Sequence, residues 1–307
     1  MIRSRRGKAI VAVLTAIAVA LAANTIAVDS ATRAAMARSG GAVMATGVVP
    51  ANVKVEGEGP PIVLIHGFGA ALDWWDEIAP KLAEHHRVIR LDLIGHGGTE
   101  APASGYAIAH QANLVAAVLD KLGVDRVSAI GHSMGGAVAT ALAEANPSRI
   151  ERLVLIDSPP KPETTFNFAT RLALMPVVGE LLSRFMTDAT IRTMLGQGFA
   201  PGFPVPDKFV ADVKQLTYTA FRTAHDDSAA YGTERPVVER LAALDPIPPL
   251  LVIFGSRDAL IAPESAKLYE RVPGAKLVIL DGPGHSPMVE APDETLALIE
   301  DFFARPD

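Results

Sequence analysis

The chain predicts an α/β fold, a mostly parallel, doubly wound sheet with an inserted helical lid. Short apolar runs rich in Val, Ile and Leu recur at 62–65, 88–91, 127–130, 153–156, 250–254 and 277–280. They lack strict polar alternation, as strands buried on both faces do. Helical patterns separate most of these runs, which implies right-handed crossovers, a parallel sheet and helices on both of its faces. The alternation breaks once, between Ile156 and Leu250, where only helical stretches occur.

At 307 residues the chain holds one large or two ordinary domains. With 49% hydrophobic and 20% charged residues it builds a substantial core and is not disordered. The net charge is −6, with no block of like charges beyond the first ten residues, so nothing marks a nucleic-acid footprint. Cysteine is absent, which excludes disulfides, thiolate catalysis and Cys-based metal sites and leaves the compartment open. The eight histidines are scattered without ligand spacing, so neither a metal nor a cofactor is expected.

In chain order, Arg3, Arg5, Arg6 and Lys8 precede an apolar run at 9–28 broken only by Thr15, Asn24 and Thr25. A basic flank followed by an apolar segment reads as a signal peptide or an N-terminal membrane anchor over 1–28. A span needs about 20 apolar residues and a signal core about 7–15, and this run lies between the two. Ala20-Leu21-Ala22 offers a small-x-small cleavage site, whereas the length of the run favours retention. Ser4-Arg5-Arg6 hints at a twin-arginine signal, although the following residues fit it poorly. The basic flank stays cytoplasmic, which places the remainder outside. Residues 29–47, rich in Ala, Gly, Ser and Thr, read as a spacer, and 48–307 as the folded domain.

Within that domain, 53–56 reads as an antiparallel edge strand before Gly57-Glu58-Gly59-Pro60-Pro61. Helices are expected at 73–84, 106–122, 133–145, 264–271 and 294–303. The interruption carries helical stretches at 166–175, 177–186, 189–195, 208–221 and 234–244. It is bracketed by Pro159-Pro160-Lys161-Pro162 and Pro246-Ile247-Pro248-Pro249. A helical insertion hinged by prolines, about 158–248, reads as a lid over the strand C-termini, where open α/β sheets bind ligands. Its Phe166, Phe168, Phe185, Phe199, Phe203, Phe209 and Phe221 either line an apolar pocket or form the lid's own core.

Gly131-His132-Ser133-Met134-Gly135-Gly136 ends one apolar run and opens a helix. Gly-x-Ser-x-Gly at a tight strand-to-helix turn lifts the serine Oγ clear of the sheet, with the helix N-terminus aimed at it. An elbow serine needs a base and an acid from later loops. His285, in Asp281-Gly282-Pro283-Gly284-His285, is the expected base, and Asp258, in Gly255-Ser256-Arg257-Asp258, the expected acid. Asp157, at the end of an earlier strand, competes for the acid's role. Two N–H groups must face the oxyanion; Met134 supplies one and Phe68, in His66-Gly67-Phe68-Gly69, the other. His66 and His132 are expected to tie loops rather than to do chemistry.

Taken with Asp92-Leu93-Ile94-Gly95-His96-Gly97 and Gly284-His285-Ser286-Pro287, these motifs resemble, in order, the α/β-hydrolase superfamily over roughly 48–305. The resemblance is to its lidded branch of esterases, C–C hydrolases, epoxide hydrolases and dehalogenases. It implies a mainly structural role for Asp92–Gly97. Epoxide hydrolases and dehalogenases of that branch use an aspartate nucleophile, so Ser133 points instead to acyl chemistry. The expectation is a cofactor-free serine hydrolase, lipase- or carboxylesterase-like, acting on an apolar ester or acyl compound. C–C hydrolysis, perhydrolysis or lyase chemistry on the same residues is the alternative, and a ligand-binding protein on the same fold is another. Arg171, Arg184, Arg192, Arg222 and Arg235 read as solvated lid arginines, or as a clamp for a carboxylate.

Overall fold

A computed structural model describes residues 5–162, 175, 178–183 and 185–305. The side chains of 5, 6, 17, 18, 20–29, 31, 178 and 181 lie outside that description. The strands are β1 Ala42–Ala45, β2 Pro50–Glu56, β3 Pro61–Ile65, β4 Arg87–Leu91, β5 Val127–His132, β6 Ile150–Ile156, β7 Leu250–Gly255 and β8 Lys276–Leu280. They form one sheet in the order β1-β2-β4-β3-β5-β6-β7-β8. Every pairing from β4 through β8 is parallel, and only β1–β2 and β2–β4 are antiparallel. The expected strands are all present. The antiparallel strand expected at 53–56 is part of β2, but β1 covers its outer side, so it is not the edge.

The helices are α1 Arg5–Ser39, α2 Ala79–Leu82, α3 Ile108–Lys121, α4 Met134–Ala145, α5 Val178–Ser183, α6 Asp188–Leu195, α7 Asp207–Gln215, α8 Tyr218–Glu234, α9 Val237–Ala242, α10 Pro287–Glu290 and α11 Pro292–Ala304. Two separate cores lie on the two faces of the sheet. One packs α3 and α4 against β3–β7, and the other packs the Leu72–Trp75 turn, α2 and α11 against the opposite face. This is why the strand runs do not alternate: Ile62, Leu64, Ile130 and Val154 face one core, and Val63, Ile65, Ala129 and Leu155 the other. The helix expected at 73–84 is reduced to a 3₁₀ turn, Leu72–Trp75, and the single turn α2, which has Pro80 in its first turn. The segment 263–271 is likewise 3₁₀ rather than α-helical.

Between β6 and β7 the described residues form helices and 3₁₀ turns and no strand. The stretch expected as one helix over 208–221 is two, because Thr217 caps a new helix by accepting from Ala220 N at 3.0 Å. The expected helix at 166–175 falls outside the described residues except at 175, and of that expected at 177–186 the helix α5 covers 178–183. Phe166, Phe168, Arg171 and Arg184 lie outside them altogether.

The N-terminus departs most from expectation. Residues 29–47 are not a spacer, because α1 continues to Ser39 and β1 joins the sheet. The last turn of α1 is bonded to the domain: Asn52 Nδ2 donates to Ser39 Oγ at 3.0 Å, and Arg38 donates to Asp73 and Asp212. Among the described residues no helix is long and apolar enough to cross a membrane. The expected transmembrane helix is therefore not found there; many of the side chains of 9–28 lie outside the description.

Candidate active site

Ser133 sits between β5 and α4 with φ 51° and ψ −119°, a region that side chains other than glycine rarely occupy. Three hydrogen bonds hold it there. Ser133 N donates to Ile156 O at 2.9 Å, while Ser133 O accepts from Gly136 N and from Ser158 Oγ, both at 2.9 Å. Glycine is required at 131 and 135, since a Cβ on either would run into backbone across the turn, Gly135 and Gly136 in one case and Ile65 and His66 in the other.

His285 Nε2 lies 2.9 Å from Ser133 Oγ, and His285 Nδ1 lies 2.7 Å from Asp258 Oδ2. Asp258 Oδ1 accepts from Leu260 N at 2.8 Å and Ile261 N at 2.9 Å, which fixes the carboxylate plane. Burial opposes ionisation of Asp258, but the His285 imidazole and these N–H donors outweigh it and hold the carboxyl below its ordinary value. An ionised acid, an imidazole and a hydroxyl are thus linked in series.

Asp157 is close by but differently placed. The nearest donor atoms of Asp157, Asp258 and His285 lie within 4.8 Å of one another. Asp157 Oδ1 accepts from Gly255 N at 3.0 Å, and Oδ2 is buried without a partner. Burial first, and the Asp258 charge next, push its carboxyl well above the ordinary range. As a cation site the trio is poorly disposed, because His285 Nδ1 and Asp258 Oδ2 already bond each other.

The N–H of Met134, at the first position of α4, has no acceptor within the helix. Phe68 follows β3 on the same edge, and both residues line one cleft with Ser133. That cleft has a volume of about 170 Å³ and is open to solvent. Its walls are mainly apolar, including Ala137, Pro159, Pro162, Val237 and Ile261, with Lys161, His225 and Tyr231 as its ionisable side chains.

The chain matches the family model of the alpha/beta hydrolase fold over residues 60–292. It belongs to that family. A 2-hydroxymuconate semialdehyde hydrolase of Pseudomonas putida is 29% identical over 278 residues, covering 83% of this chain and 91% of that protein. A pimeloyl-[acyl-carrier protein] methyl ester esterase of Aeromonas hydrophila is 28% identical, covering 82% and 99%. Among solved structures, a membrane phospholipase A described as a bacterial virulence factor superposes with a TM-score of 0.71 at 24% identity. That match covers 98% of both chains, so the likeness in fold extends over α1.

In this α/β-hydrolase-fold chain His66, His132 and the aspartate loop are engaged in structure. His66 Nδ1 bonds Gly67 O at 2.7 Å and its Nε2 accepts from Leu93 N at 3.0 Å. Burial holds its pKa well below the ordinary histidine value. His132 Nε2 donates to His285 O at 2.7 Å, and burial lowers its pKa to about 3. Asp92 accepts from Leu72 N, Gly98 N and Asn52 Nδ2, each at 2.7 Å. Phe199 and Phe209 stack with Trp74 as core of the insertion, and Phe221 packs on Phe68. None of the insertion's described phenylalanines lines the cleft. Arg192 bonds Asp207, Arg222 pairs with Asp226 and Arg235 donates to Glu239 O, so these are surface contacts.

Sequence reasoning passed over Ser158 and Glu290. Ser158 follows Asp157 and braces the Ser133 carbonyl. Glu290 accepts from the N–H groups on both sides of His285. Its spacing after His285, at the end of a Pro-initiated turn, was the available signal.

Proposed function

We propose that the protein is a cofactor-free serine hydrolase that cleaves esters of apolar acyl groups through an acyl-enzyme at Ser133. The observation that carries this reading is the continuous relay Asp258–His285–Ser133 at the foot of a mainly apolar cleft. His285 Nε2 takes the Ser133 proton as Oγ attacks the carbonyl carbon. Asp258 keeps the imidazole proton on Nδ1 and stabilises the imidazolium that forms. The N–H groups of Phe68 and Met134 receive the oxyanion, each donor being worth about 10²–10³ in rate. His285 then protonates the leaving alcohol, and water, deprotonated by the same nitrogen, releases the acid.

The helices between β6 and β7 act as a lid over this cleft. The relatives named above include a semialdehyde hydrolase beside an ester esterase, so C–C cleavage on the same residues is the second reading. The basic flank and apolar run at the N-terminus support delivery of the chain to a membrane or its export.

The test is hydrolysis of nitrophenyl esters from acetate to long acyl chains by the full chain and its Ser133→Ala variant. A loss of several orders of magnitude in the variant is expected. Equal turnover by both overturns the nucleophile assignment. Inertness of the wild type toward every ester, with turnover of a vinylogous 1,5-diketone, selects the second reading.

A further inference from the structure

Glu290, the last residue of α10, holds three backbone N–H groups with one carboxylate. Oε1 accepts from Gly284 N at 3.0 Å and from Ser286 N at 3.1 Å, the peptides immediately before and after His285. Oε2 accepts from Gly284 N at 3.1 Å and from Ala200 N at 2.7 Å, and Ala200 belongs to the helical insertion. The insertion backbone presses directly on the histidine loop: a Cβ at Gly284 would sit 2.5 Å from Ala200 N and from the Phe199 carbonyl carbon. Phe199 carries the contact onward, stacking on Phe203 at 5.2 Å and on Trp74 at 6.0 Å.

We propose that Glu290 is a positioning residue that couples the seating of the insertion at Ala200 to the alignment of His285 on Ser133. The inference rests on the serine-hydrolase reading above. A carboxylate has two acceptor atoms, and here both are in use by N–H donors that only a charged, fixed acceptor satisfies together. If the insertion lifts at Ala200, one of those four bonds breaks and the remaining three, from Gly284 N and Ser286 N, re-aim the histidine loop. The loop has no slack to absorb this, since Gly284 is wedged between the insertion and Gly255, and His132 holds the His285 carbonyl. The titratable groups packed around His285 are Asp258 after β7, Asp157 after β6 and His132 at the end of β5. Glu290 adds a negative charge from a fourth element.

The experiment compares wild type, Glu290→Gln and Glu290→Ala in the full chain. It follows kcat and KM on a short nitrophenyl ester across pH, with thermal melts and labelling of Ser133 by a phosphonate. Glutamine keeps the shape but only one acceptor, so kcat is expected to fall roughly tenfold with KM nearly constant. Loss of the negative charge moves the acid limb of the kcat profile to lower pH, by roughly half a unit. Alanine lowers kcat further and slows phosphonate labelling in parallel. A merely structural glutamate would lower the melting temperature and the labelled fraction without moving the limb. A Glu290→Gln variant that keeps wild-type kcat and pH limb overturns the inference. Failure of the serine-hydrolase reading is distinguished by Ser133→Ala, which would then remain active.

Discussion

Replacing Asp258 by Asn is the sharpest perturbation of the relay, and the structure fixes how the amide must sit. Its oxygen is claimed by the Leu260 and Ile261 N–H groups at 2.8 and 2.9 Å, so its NH₂ faces His285 Nδ1. The imidazole is then forced to carry its proton on Nε2, the nitrogen 2.9 Å from Ser133 Oγ that should receive one. The imidazolium also loses a carboxylate at 2.7 Å. Coulomb's law at that distance, with an effective dielectric of about 20, gives about 6 kcal/mol. That corresponds to a fall of about 10⁴ in kcat, the size seen for the same change in protease triads. Asp157→Asn is the matched control. Burial pushes the Asp157 carboxyl up, its Oδ1 accepts from Gly255 N, and an amide keeps that acceptor without a charge, so kcat should change less than about threefold. The assay is kcat and kcat/KM on the best nitrophenyl ester for wild type, both single variants and the double variant. An Asp258→Asn enzyme retaining more than a few per cent of activity, or an Asp157→Asn enzyme falling as far, refutes the assignment of the acid.

Arg38 of α1 bonds both Asp73 and Asp212, two buried carboxyls sharing one guanidinium. Arg38→Ala is expected to destabilise the domain by roughly 1–3 kcal/mol in urea melts, less than for a fully buried pair because Arg38 is partly exposed. Burial first, and Asp73 next, push the Asp212 carboxyl up to about 8. A folded-state value above the unfolded one favours the fold at low pH and loses that contribution as pH rises through about 8. Stability from this group should therefore drop by about 1–2 kcal/mol between pH 6.5 and 8, and Asp212→Asn should flatten that slope. Gly284→Ala places a methyl group against insertion backbone at Phe199 and Ala200. A loss of about 1–3 kcal/mol in melts, with reduced kcat, is expected, and unchanged values would show that the insertion gives way freely.

The strands and the motifs of the loops were legible because each rests on local signals. Short unbroken apolar runs mark strands buried on both faces, and Gly-x-Ser-x-Gly marks a turn that only glycines permit. The structure brings Ser133, His285 and Asp258 into one relay although 125 and 152 residues separate their partners from the serine, because parallel strands deliver their following loops to one edge. Lengths of helices were less legible. Pro80 and the cap at Thr217 divide stretches whose apolar periodicity reads as continuous.

What the sequence by itself determined was the α/β class, the placing of the elbow and the residues able to form the relay, since all three follow from periodicity and turn chemistry. Only the tertiary structure sets Asp258 against His285 Nδ1 and Asp157 against Gly255 N, because contacts with the imidazole and N–H donors, not residue type, set which carboxyl is held low. It alone joined Arg38 to the insertion and Glu290 to both the insertion and the His285 loop. Those contacts depend on distances between segments far apart in the chain, and no local pattern encodes them.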